Sequence, residues 1–209
     1  PTELSDVLNE VMTLMVKVTG FERAILMLLD DEERVLRYGQ GVGAPEEMFD
    51  KFRDYEVPLS RISNLMVRVA HGGLPVFIED VKSSDLNLDN PIIKYFKPAS
   101  FFAVPVSVRD KVIGVLVADK GSTLSSITQE DRDYLITFVN QIAGPLEQSR
   151  LLDKNRGSYL NSIKALVMAL EARDPYTRGH SERVTDYSVE LANILDFPPT
   201  YVDMLRDIV

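Results

Sequence analysis

The 209 residues carry 23 Lys and Arg against 32 Asp and Glu, a formal net charge of −9, with 45% hydrophobic residues. That hydrophobic share supports a real core, while the acidic balance argues against a nucleic-acid polymer and an anionic membrane surface as partners. The absence of cysteine excludes a disulfide framework, a thiolate metal site and a cysteine-linked bilin; with no apolar run of about eighteen residues and no visible signal peptide, a cytoplasmic protein is expected.

Leu4 to Val18 has apolar residues at steps of three and four, which predicts an amphipathic helix ended by Gly20. Arg23 to Leu29 reads as a buried central strand and Arg34 to Val42 as its hairpin partner. Gly39, Gly41 and Gly43 then loosen the chain, without the helix-opening glycine that a phosphate-binding fingerprint requires. Pro45 to Arg53 and Ile62 to Ala70 predict short helices. Between them, Glu56 to Leu59 holds a proline that only an edge strand tolerates. His71 falls in the last helical turn, placed for the helix C-terminal charge, for solvent or for a haem iron. Pro75 to Ile78 predicts a strand, 79–90 a polar loop, and Pro91 to Phe96 a short helix.

Phe102, Val104, Val106 and Val108 alternate, Arg109-Asp110-Lys111 turns, and Val112 to Val117 returns. Gly114 inside that strand predicts a close backbone approach. Thr128 caps a last helix whose first turn carries Glu130 and Asp131, where the helix dipole favours acids. Pro145 removes one donor from it and predicts a kink near Gly144. The helix continues through a polar stretch around Gly157 to Glu171.

The 103–117 hairpin, with the order of elements before it, is similar to the signature of GAF domains. The resemblance implies an α+β fold over residues 1–148: an antiparallel sheet flanked by helices, then a long connecting helix. GAF domains are small-molecule sensors or dimerising modules, and the ligand of binding members lies between sheet and short helices. Phe77, Tyr95 and Phe96 are candidates to line such a pocket, or are plain core aromatics. The Asn-Lys-Phe-Asp-Glu signature of cyclic-nucleotide members is absent, and no ligand can be named.

Asp174-Pro175 breaks the long helix, and either Asp174 or Thr177 caps a new one. Its stripe of Val184, Tyr187, Leu191 and Leu195 extends back to His180, four residues before Val184. A histidine so placed is either a core group bonded to backbone or a metal ligand. The run Leu170–Ala192, LEARDPYTRGHSERVTDYSVELA, closely resembles the opening of the HD-GYP family of bacterial phosphodiesterases. That resemblance implies that His180 is a metal ligand. It implies, for the intact enzyme, two divalent metals (iron or manganese) and cyclic di-GMP as substrate. Tyr176 stands where three-metal members carry Glu, which favours the two-metal form. Arg183 meets a substrate phosphate through its planar fork, or pairs with Glu182, Asp186 or Asp207.

His71 and His180 are the only histidines, and the family's His-Asp pair and Gly-Tyr-Pro segment do not appear. A catalytic metal site needs about three protein ligands. The expectation is therefore a fragment: a GAF-like sensor at 1–148, a linker at 149–157 within the connecting helix, and the first helices of a truncated HD-GYP domain at 158–209. Such a fragment holds no catalytic residue, hydrolyses nothing and keeps no cofactor. Two other readings stand open: a GAF interaction module without ligand, and a regulator of a different HD-type nucleotide hydrolase. A homodimer is expected through the helices, on the seam Val139, Ile142, Leu146 continued at Leu160, Ile163, Val167 and Leu170. The Leu4–Val18 helix can join it, and the apolar stripe after Asp174 gives a second reason to pair.

Overall fold

The computed structural model describes residues 3–84, 90–121, 126–173, 180–199, 201, 202 and 205. The chain divides into two compact units, Pro1–Gln148 and Ser149–Val209.

In the first unit, helix α1 (Glu3–Thr19) leads into strands β1 (Arg23–Asp30) and β2 (Val35–Val42). Helix α2 (Glu46–Asp50), strand β3 (Glu56–Pro58), helix α3 (Leu65–Gly72), strand β4 (Val76–Ile78) and helix α4 (Pro91–Phe96) follow. The hairpin β5 (Phe101–Val108) and β6 (Lys111–Asp119) then runs into helix α5 (Gln129–Arg173). The sheet order is β3-β2-β1-β6-β5-β4, antiparallel at every pairing. The two apolar runs expected at the centre, β1 and β6, are its middle strands, and proline-bearing β3 is an edge. The fold is α+β, as expected.

Each face of the sheet has its own core. On one, Leu8, Met12 and Met15 of α1 and Leu135, Val139, Ala143 and Leu146 of α5 close over Leu26, Val104, Val106 and Leu116. On the other, α2, α3 and α4 bury Phe49, Phe52, Leu65, Val69 and Phe96 against Ile25, Met27, Ala103 and Val115. Burying two such layers is the main favourable term in holding the unit together.

The structure corrects the sequence in two places. Helix α3 starts at Leu65 instead of Ile62, because the Asn64 side chain caps it by accepting from the Met66 N–H at 2.9 Å. Helix α2 stops at Asp50, and residues 51–54 form turns. Of the expected seam Val139, Ile142 and Leu146, Val139 and Leu146 are 0% and 3% exposed within their own chain and Ile142 is half-buried. A helical stripe shows that a face is buried, and both a second copy and the chain's own sheet satisfy it. The side chains of Leu160, Ile163, Val167 and Leu170 lie outside the described residues.

The second unit holds the C-terminal part of α5 and helix α6 (His180–Ile194), which closes on a left-handed Asp196 with φ of 52°. Ala192 and Val202 are buried, and the Phe197 and Tyr201 rings meet edge to face at 6.2 Å. Tyr187, Leu191, Leu195 and Phe197 remain exposed. Among the described residues no helix is long and apolar enough to cross a membrane.

Candidate functional site

Strand β3 covers β2 only at Val35, Leu36 and Arg37. Beyond Tyr38, whose N–H still reaches the Tyr55 carbonyl at 3.1 Å, no strand among the described residues lies beside the outer edge of β2. There the register against β1 slips by one residue, Leu26 facing Gln40 and Met27 facing Tyr38, so that Gly39 is the bulged residue. A cavity of about 650 Å³ opens along this edge. Its walls are one face of α1, with Asp6, Asn9 and Thr13 at steps of three and four, and the α2 segment, with Glu46, Phe49 and Arg53 at the same steps. Its floor is β2 and the following loop, from Tyr38 to Ala44.

Several contacts fix this site. The Gln40 amide donates to Asn9 Oδ1 at 3.1 Å and to the Gly41 carbonyl at 3.3 Å. The Phe49 ring lies so close over Gly41 that a Cβ there would sit 2.3 Å from it. Arg53 pairs with Asp50 and Glu46, both at 2.7 Å. Burial pushes the Tyr38 phenol up to about 12, so it stays a neutral hydroxyl at any physiological pH. The alternating glycines were legible as a loosened stretch, but nothing local in the sequence signalled that α1 and α2 would stand on either side of it.

Of the residues expected to line a sensor pocket, Tyr95 and Phe96 lie together and Phe77 lies apart. Tyr95 and Phe96 belong to the core under the short helices, where Phe96 packs 5.3 Å from Phe49 and 5.7 Å from Phe52, and Tyr95 5.5 Å from Phe52. Phe77 packs against the opposite core, edge-on to Phe102 at 6.3 Å, with the Arg132 guanidinium 4.4 Å over its ring. Side chains fill the layer between sheet and short helices. The His71 ring bonds the Leu59 carbonyl through Nε2 at 3.0 Å, tying α3 to the loop after β3.

In the second unit, His180 opens α6 and Arg183 lies exposed one turn on. The His180 side chain lies outside the described residues, as do Asp174, Pro175, Tyr176, Thr177 and Asp207. Among the described residues, no three His, Asp or Glu side chains gather to hold a metal ion, and no metal-dependent step is assigned to them.

The six-stranded antiparallel sheet is flanked by helices, as the resemblance carried by the 103–117 hairpin implied, and the family model for the GAF domain matches residues 1–147. The chain belongs to the GAF domain family. Solved GAF structures agree in fold. A GAF domain/HD domain protein from Geobacter sulfurreducens aligns with a TM-score of 0.62 at 20% identity, covering 72% of this chain and 95% of that one. Residues 122 to 287 of a methyl-accepting chemotaxis protein give 0.61 at 23%, covering 72% and 92%. The second GAF domain of DevS from Mycobacterium smegmatis gives 0.55 at 18%, covering 73% and 99%. No curated protein matches the chain.

Proposed function

We propose that this GAF domain is the sensory part of a signalling protein whose output is a metal-dependent cyclic di-GMP phosphodiesterase of the HD-GYP type. The observation that carries this reading is the run Leu170–Ala192, where the sequence follows the opening of that family residue by residue through Gly-His-Ser-Glu-Arg. A GAF domain/HD domain protein among the structural neighbours gives the pairing a precedent. Residues 158–209 are then the first helices of the catalytic domain and 149–157 the linker within α5.

With a complete HD-GYP domain, His180 would supply one imidazole toward holding two iron or manganese ions, whose chemistry there would be to activate water against a phosphodiester. Arg183 offers a planar fork to a phosphate oxygen. The protein is cytoplasmic and pairs with itself. Ligand state in the sensor biases the output provided the ligand binds two helix packings differently. A second reading is favoured by one observation. Phe49, Phe52, Tyr95 and Phe96 fill the layer where binding members hold their ligand, which suits a GAF module that works by interaction alone. Regulation of another HD-type nucleotide hydrolase is the remaining alternative.

The test is hydrolysis of cyclic di-GMP with manganese or iron. The 209-residue chain should give no turnover that survives repurification. In the polypeptide extended through the His-Asp pair, His180→Ala should lower metal content and activity together. Unchanged activity would return His180 to the role of a core histidine.

A further inference from the structure

We propose that the cavity along the outer edge of β2 binds a small aliphatic amine or alkylammonium ion. Its volume of about 650 Å³ lies within the range of small-molecule sites. The space follows from the sequence: β3 ends too early to cover the strand, and glycine at 41 lets the Phe49 ring lie directly over β2 as one wall.

The walls select for positive charge. Asp6 presents a carboxylate from α1, and Glu46, held by Arg53, stands on the opposite side. Arg53, the one cation among the described lining residues, is matched by Asp50 and Glu46. An anion entering here meets unbalanced negative charge, and a cation is attracted. The Asn9 amide oxygen and the Thr13 hydroxyl add acceptors suited to N–H donors. Tyr38 and Phe49 supply aromatic carbon, against which ammonium groups bind favourably.

A pairing peptide strand fits less well. The Gly41 carbonyl already accepts from the Gln40 amide, so one acceptor of this edge is taken by the chain's own side chain. The inference supplies a ligand class for the sensory role proposed above. It is measured on this chain alone, so failure of the phosphodiesterase reading leaves it intact.

Calorimetric titration of the 209-residue chain with putrescine and with choline, using succinate as the anionic counterpart, is the experiment. Saturable binding of at least one cation and none of succinate is expected. Asp6→Asn should weaken that binding about fivefold or more, with the thermal midpoint unchanged because the side chain is exposed. Glu10→Gln, on α1 but outside the cavity, should leave affinity unchanged. The proposal is overturned if neither cation binds at millimolar concentration. It fails equally if succinate binds as well as the cations, or if Glu10→Gln weakens binding as much as Asp6→Asn, which would mark diffuse charge attraction.

Discussion

Arg23 and Asp119 show how two distant positions hold the ends of the central strands. The guanidinium reaches Asp119 Oδ1 through Nη2 at 2.6 Å and through Nε at 2.9 Å, and the Gly121 N–H donates to the same oxygen at 2.6 Å. The arginine also lies 5.3 Å over the Phe96 ring. Burial holds the Asp119 carboxyl above its ordinary range despite this partner. Removing one member of a buried pair strands the other, at about 3 kcal/mol or more. Asp119→Asn should cost that much in urea unfolding; a loss below about 1 kcal/mol would contradict the account. Asp131 differs. Burial pushes its carboxyl up, but Lys120 at 2.6 Å and the Thr128 N–H and hydroxyl outweigh this and lower it. A carboxylate lowered in the folded state contributes stability above its unfolded value of about 3.8, lost as pH falls through the folded one. Asp131→Asn should therefore unfold with a shallower acid limb below pH ~4 than wild type. Equal slopes would show that the pair carries no such linkage. Thr128 was readable as a cap because capping is local. Arg23 and Asp119 lie 96 positions apart, and no spacing rule connects them.

At the scale of elements, Gly114 behaves as its place inside an apolar strand implied. An added Cβ would stand 2.6 Å from the Met27 carbonyl oxygen across the β1–β6 pair, where the backbone cannot yield cheaply. Gly114→Ala should destabilise the domain by about 1–3 kcal/mol in chemical denaturation, and a neutral result would mean the strands part easily. Helix α1 shows why the sequence was read only in part. Its apolar residues were taken as one stripe, but they form two. Leu8, Met12 and Met15 pack on the sheet, while Val7, Leu14 and Val18 stand 56%, 62% and 70% exposed one position round. Asp6, Asn9 and Thr13 make a third face, over the cavity. Helical spacing counts apolar positions and does not say which neighbour each stripe will find. The order and centrality of β1 and β6 were legible because uninterrupted apolar runs must lie inside a sheet. The cavity depends on where β3 stops and on which helices flank it, and neither is a property of a local window.

For the whole molecule, the exposed α1 stripe is where a homodimer through the helices should form, since Val139 and Leu146 of the α5 seam are buried on the chain's own sheet. Light scattering on the purified chain should report a dimer at tens of micromolar, and Leu14→Glu should return it to a monomer without loss of helical signal; a wild-type monomer would remove the proposal. Under the proposed function, a GAF sensor controls a cyclic di-GMP phosphodiesterase. The most direct test is the rate at which a polypeptide joining this chain to a complete HD-GYP domain linearises cyclic di-GMP with manganese, measured with and without residues 1–148. Metal-dependent hydrolysis is expected, with a rate that changes about fivefold or more when the sensor is removed. No hydrolysis, or the same rate with and without the sensor, would contradict it.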